Sequence, residues 1–87
     1  MVRHEVVTGV AGGNFATKAR LAEIEADLAA VGAHDLSLEI VSGVLVGIGF
    51  SIDAEDVDSA GTRAEEILWA TSLERVGPLK IAALATA

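Results

Sequence analysis

Residues 35–52 read DLSLEIVSGVLVGIGFSI. In the first half Leu36, Leu38 and Ile40 alternate with Ser37 and Glu39. In the second half Val44, Val46, Ile48, Phe50 and Ile52 alternate with Leu45, Gly47, Gly49 and Ser51. A period of two on both sides predicts two β-strands, 35–42 and 44–52, each with one buried face. Ser42-Gly43 supplies the two-residue turn that joins them into a hairpin.

On the N-terminal side, residues 2–10 (VRHEVVTGV) also alternate, with Val2, His4, Val6, Thr8 and Val10 on one face and Arg3, Glu5, Val7 and Gly9 on the other. After Gly12-Gly13, Asn14 or Thr17 can cap a helix over about 15–31, in which Leu21, Ile24, Leu28 and Val31 form one stripe. Gly32 follows as its stop. On the C-terminal side, Asp53 is the expected cap of a second helix. Glu55, Asp56 and Asp58 fall in its first turn, and Val57, Ala60, Ala64, Ile67, Leu68 and Thr71 form its core stripe. Gly77-Pro78 is the expected end of that helix, and residues 79–86 (LKIAALAT) form the last strand.

The order is therefore β-α-β-β-α-β over a single domain, residues 1–87. Two right-handed crossovers around a central hairpin predict a four-stranded antiparallel sheet in the order 4-1-3-2 with both helices on one face, the ferredoxin-like α+β arrangement.

Composition agrees with a folded chain. Hydrophobic residues make up 52% of the sequence, enough for a core and too many for disorder. A chain this short buries roughly 60–65% of its unfolded surface. The charge is 6 − 13 = −7, which argues against nucleic acid and against anionic membrane surfaces, since phosphates need clustered Lys and Arg. Without cysteine there are no disulfides, no thiolate nucleophile and no Cys-ligated metal. The most apolar run, residues 40–50, is well short of the ~20 residues that span a bilayer. Arg3, His4 and Glu5 stand where a signal peptide needs apolar residues, so the chain reads as soluble and cytoplasmic.

With helices on one face of the sheet, the other face is open. Strand parity assigns to it Val7, Gly9, Leu45, Gly47, Gly49 and Ser51 from the central strands. Ser37, Glu39 and Val41 follow from one edge, and Lys80, Ala82, Leu84 and Thr86 from the other. Glycines inside strands cost stability and often mark close approach by a ligand or another backbone. Trp69 is a second misfit, lying off the core stripe of the second helix where Leu73 and Val76 would join it if the helix continued. These residues predict association, with Val7, Gly9, Leu45, Gly47, Gly49, Leu84 and Trp69 as interface or ligand-facing positions.

Chemical motifs are sparse. The turn Gly9–Asn14 matches neither dinucleotide nor P-loop glycine spacing. Asp53, Glu55, Asp56 and Asp58 lack the spacing of a calcium loop and read as a solvated helix start. His4 and His34 are the only histidines and form no i, i+4 pair. His4 is expected near a sheet edge, and no metal or cofactor is expected. Ser37, Ser42, Ser51, Ser59 and Ser72 have no His/Asp signature around them. RNA-recognition modules of this topology stack bases on aromatics where this chain carries Val7, Gly9, Leu45, Gly47 and Gly49.

Two families of this topology invite comparison. VVTGVAGGNFATKAR (6–20) faintly resembles the phosphate loop of acylphosphatases, yet no arginine directly follows Phe15 and no asparagine stands on the second strand. The resemblance therefore carries over no activity. RLAEIEADLAAVGAHDLSLEI (20–40) resembles the first helix, glycine turn and second strand of the amino-acid-binding ACT modules. Their Pro-Gly pair would fall on Lys18-Ala19 and is missing, so the resemblance implies the fold and assigns no ligand residues.

The resulting expectation is a non-catalytic module that forms a homo-oligomer, most simply a dimer, through its open sheet face, with a small-molecule ligand as a further occupant. Its alternatives are a small enzyme of the dimeric α+β barrel kind and an accessory protein that docks on a larger partner. A cavity with convergent polar groups would favour the enzyme.

Overall fold

Strands β1 (Val2–Val10), β2 (His34–Val41), β3 (Val44–Ala54) and β4 (Arg75–Ala83) alternate with helices α1 (Lys18–Ala30) and α2 (Val57–Ala70) in the order β1-α1-β2-β3-α2-β4. This computed structural model describes residues 2–11, 15–71 and 73–83. Every strand pairing is antiparallel, and the sheet order is β2-β3-β1-β4, which is 4-1-3-2 read from the other edge. The chain is thus α+β, with β1 and β3 central and β2 and β4 at the edges.

The hairpin is as the alternation predicts. Ser42 and Gly43 both have positive φ, 52° and 75°, the pair of left-handed residues that a type I′ turn needs, and glycine adopts it without strain. From Val2↔Ala54 to Gly9↔Gly47 the β1–β3 register runs without a break. Val6, Ile48, Phe50 and Ile52 consequently all point to one side, where Ile24 and Leu28 of α1 and Ala60, Ala64, Ile67 and Leu68 of α2 join them in one buried cluster. The Arg63 guanidinium of α2 donates to the Val31 carbonyl at the end of α1 at 2.8 Å, which ties the helices side by side. It also puts a cation at the negative end of α1.

Helix ends follow local chemistry, with two departures from the sequence expectation. Thr17 caps α1, accepting from Arg20 N. α2 is capped by Asp56, whose Oδ1 accepts from Ser59 N at 2.8 Å, and not by Asp53. Asp53 is still part of β3, paired with Arg3, because the strand continues to Ala54. Val57, expected in the core stripe, is the first helical residue and is 51% exposed. At the other end α2 stops at Ala70, seven residues before Gly77. The Thr71 hydroxyl donates to the carbonyls of Ile67 and Leu68, which satisfies the helix end, and Leu73 folds back into the core.

Gly77-Pro78 therefore does not stop the helix. It sits inside β4, which begins at Arg75 rather than at residue 79 and is described as far as Ala83. Between Val7↔Lys80 and Gly9↔Val76 the pairing shifts, with Gly77, Pro78 and Leu79 opposite the single residue Thr8. Gly77 takes φ 83°, which favours glycine, and the proline without its N–H is tolerated at a bulge on an edge strand.

A second bulge changes the face of a residue expected on the open side. Glu39 pairs with Gly47 but Ile40 pairs with Leu45, so Val46 is an extra residue on β3. One inserted residue reverses the parity beyond it. Leu45 thereby turns into the core, 0% exposed, instead of facing outward with Gly47. No helix among the described residues is long and apolar enough to cross a membrane.

Candidate functional site

The open face is built in rows by strand register. One row runs Ser37–Gly49–Val7–Lys80 across β2, β3, β1 and β4. On one side of it lies Glu39–Gly47–Gly9–Val76, and on the other His34–Ser51–Glu5–Ala82. Val7, Gly9, Gly47 and Gly49 are thus brought together as strand parity predicts. Leu45 is not among them, for the reason given above. Leu84 and Thr86 lie outside the described residues, as do Gly12, Gly13, Asn14 and Ser72. Trp69 is 83% exposed on the outer side of α2, in the helical layer, so it belongs to a different surface from Val7.

The three glycines differ in why they are glycine. A Cβ on Gly9 would meet the backbone carbonyl of Val76 at 2.9 Å, because the β4 bulge brings that carbonyl close. Gly9 is therefore required by the fold itself. A Cβ on Gly47 would lie 2.9 Å from Glu39 Oε2, so the Glu39 side chain rests over Gly47 and crosses the sheet face toward β1. A Cβ on Gly49 would meet Ser37 Cβ, the Val6 carbonyl and Val7 Cγ2, each at 3.6 Å, which is ordinary contact. Nothing among the described residues demands glycine there.

Of the three, Gly49 alone lines a groove of about 340 Å³ over β3, together with Glu5, Val7, Ser37, Glu39 and Ser51. The volume is at the small end of the ~300–1,000 Å³ typical of ligand sites. Asp35 stands at its rim, where Arg3 reaches it at 4.0 Å while making a closer pair with Asp53, Nε to Oδ1 at 3.2 Å. The Arg3 side-chain hydrogen bond holds the Asp53 carboxyl below the usual carboxylate range, and the same bond pushes the Arg3 pKa up. Glu5, Glu39 and Lys80 form no ion pair among the described residues.

Ser51 and Glu5 are the site residues that sequence reasoning did not single out. Parity put both on outward faces, but nothing in composition marks a serine or a single glutamate. Ser51 is only 4% exposed, and its hydroxyl has no hydrogen-bond partner among the described residues. No buried side-chain oxygen among them is left unpartnered, so the Ser51 hydroxyl itself opens onto the groove that it lines.

The remaining candidates do not converge. His4 is not near an edge: it is on a central strand, 2% exposed on the core face, with Nδ1 2.9 Å from the Val2 carbonyl. His34 is exposed on β2 as the register partner of Ser51, with β3 between it and His4 on β1. Among the described residues no three His, Asp or Glu side chains are grouped to hold a metal ion. Asp56 is engaged as a helix cap, and the Ser59 amide it binds holds its carboxyl below the usual range. Compared with protein-family models, curated proteins and solved structures, the chain matches none.

Proposed function

We propose that this chain is a ferredoxin-like module that pairs with a second copy of itself through the open face of the sheet. The observation that carries this reading is Gly49, an unfilled position with room for a methyl group, directly between the exposed Val7 and Ser37. An empty row beside a half-exposed valine is a hole beside a knob.

The register supports one arrangement of the two copies. A two-fold axis parallel to the strands lays each row over its own reverse, so that β4 of one copy crosses β2 of the other. Val7 then sits over the partner's Gly49. Lys80, which makes no ion pair among the described residues, comes over the partner's Ser37 and beside its Glu39. Four strands spaced about 4.8 Å apart and some eight residues long offer about 500 Å² per copy, so the pair reaches the ~1,000 Å² that specific contacts require. A contact of that size is modest, and it depends on the fit along the Val7–Gly49 row.

Sedimentation equilibrium tests the reading. Wild type is expected at twice the chain mass at micromolar concentrations. Gly49→Arg, whose side chain fills the hole, is expected at the single-chain mass with an unchanged circular dichroism spectrum. A Gly49→Arg variant that is folded and still dimeric overturns the proposal.

A further inference from the structure

A single exposed apolar side chain is ordinary on a protein surface. Trp69 is more than that, because it stands as a ridge between two hollows. One, of about 570 Å³, separates it from Thr62, Glu65 and Glu66. The other, of about 290 Å³, is lined by the buried Leu68 and Leu73, with Glu74 and Arg75 beside them. A third, of about 400 Å³, continues from Thr62 and Glu66 back to Asp58. Asp58, Thr62, Glu65, Glu66 and Trp69 follow one another at spacings of three and four, which puts them on one side of α2. The hollows share Thr62, Glu65, Glu66 and Trp69 and so form one trough along the helix, about 21 Å long at 1.5 Å per residue.

The charge along this trough has one sign. Asp58, Glu65, Glu66 and Glu74 stand against Arg63 and Arg75, a balance of 2 − 4 = −2. Both arginines are already committed within the chain. Arg63 is 3.6 Å from Glu66 and donates to the Val31 carbonyl, and Arg75 is 2.9 Å from Glu65 and donates to the Gly77 carbonyl. Trp69 also sits in the last turn of α2, at the negative end of the helix dipole, where no basic residue offsets it. The ring face, the carboxylates and the helix end all favour a cation.

We infer that the trough along α2 docks a basic segment of a partner protein, with an arginine laid on the Trp69 ring and further cations along Asp58, Glu66 and Glu74. A planar guanidinium stacks on an aromatic face while its N–H groups reach carboxylates at the edge. The length of the trough suits a segment of chain and not a single small ion. A second copy is a poor occupant: it carries a charge of −7, and Arg3, Arg20, Arg63 and Arg75 each pair with an acid of their own chain. The inference is independent of the sheet-to-sheet pairing, which leaves this layer uncovered.

The probe is a blocked helical peptide of about sixteen residues, alanine with arginine at every fourth position. It is titrated into the full chain at pH 7 and about 0.15 M salt, where exposed charges more than about 8 Å apart are largely screened. The same peptide with glutamine for arginine is the control. As the sole tryptophan, Trp69 gives one indole N–H signal by NMR, and the Glu66 amide is followed beside it. The arginine peptide is expected to shift both signals saturably, and the glutamine peptide neither. Trp69→Leu keeps an apolar side chain and removes the ring, and is expected to weaken binding about twofold to fivefold at the Glu66 amide.

Two double variants separate the trough from general attraction to an acidic chain. Glu66→Gln with Glu74→Gln is expected to weaken binding about threefold or more. Glu23→Gln with Glu25→Gln removes as many acids from α1, including one paired to an arginine three residues away as Glu66 is, and is expected to weaken binding less than half as much. Equal shifts from the glutamine peptide, an unchanged affinity in Trp69→Leu, or equal losses in the two double variants overturn the docking surface. Indole and Glu66 signals unmoved by the arginine peptide at millimolar concentration overturn it as well.

Discussion

Val7 and Gly49 are direct partners across the two central strands, and a Cβ added to Gly49 would lie 3.6 Å from Val7 Cγ2. Alanine therefore fits in the isolated chain. A strand glycine costs about 0.5–1 kcal/mol relative to alanine, so Gly49→Ala is expected to raise single-chain stability by about that amount, read by urea unfolding at high dilution. The same methyl occupies the hole that the partner's Val7 is proposed to fill. Overpacking of this kind costs about 1–3 kcal/mol, so the dimer dissociation constant is expected to rise between roughly fivefold and 150-fold. A stabilised variant with unchanged association would count against the row-on-row fit.

Leu45 separates the structure from simple alternation. On an unbroken strand it would face outward, and truncating it would touch association alone. The bulge at Val46 turns it into the core at 0% exposure. Leu45→Ala is accordingly expected to destabilise the single chain by about 2–5 kcal/mol, whereas Val7→Ala on the open face stays within about 0.5 kcal/mol. Urea unfolding of both variants under dilute conditions distinguishes the two placements.

That contrast shows which parts of the fold are legible in a sequence. Val7, Gly47 and Gly49 are placed correctly by parity because the β1–β3 register is uninterrupted from Val2 to Gly9. Leu45 is not, because a bulge is a matter of pairing between strands, and a local period of two carries no mark of it. Gly77-Pro78 misleads in the same way: the pair that ordinarily ends a helix here makes a bulge in an edge strand. The helix ended earlier by another route, the Thr71 hydroxyl on two carbonyls. Asp53 is the expected cap on paper, and only the Arg3 partner on β1 shows that the strand outlasts it and leaves the cap to Asp56. Ser51 stands out only through its low exposure on the open face and its place in the groove lining, neither of which a lone serine in a strand announces.

Those two aspartates also set a pH dependence. Both carboxyls titrate below the ordinary value of about 4, Asp53 through its hydrogen bond to Arg3 and Asp56 through the Ser59 amide. A group with a depressed folded-state pKa contributes stability that is fully present above its unfolded value and is lost as pH falls through the folded one. Between pH 5 and 7 these residues add no slope. Below about pH 4 stability is expected to fall, and Asp53→Asn and Asp56→Asn should each flatten that acid limb while lowering stability at pH 7. Chemical unfolding at half-unit pH steps checks this. Since Arg3 and Asp53 are solvent-exposed, added salt should shrink the Asp53 share more than the Asp56 share.

Trp69 gives a readout that is blind to the open face and sensitive to the other layer. It is 83% exposed on α2, beside Thr62, Glu65 and Glu66, while the proposed contact uses the face of the sheet that the helices leave bare. One two-fold contact through Val7 and Gly49 does not cover both sides of the same sheet. As the sole tryptophan, it reports one environment. Its emission is therefore expected to stay water-like across a dilution series in which sedimentation shows the mass change from two chains to one. Trp69→Ala is expected to alter single-chain stability by less than about 0.5 kcal/mol and to leave the dissociation constant unchanged, as for a surface side chain outside the contact. Emission that moves to shorter wavelength as the chains associate, or weakened association in Trp69→Ala, would relocate the contact to the helical layer, where tryptophan is a common interface anchor.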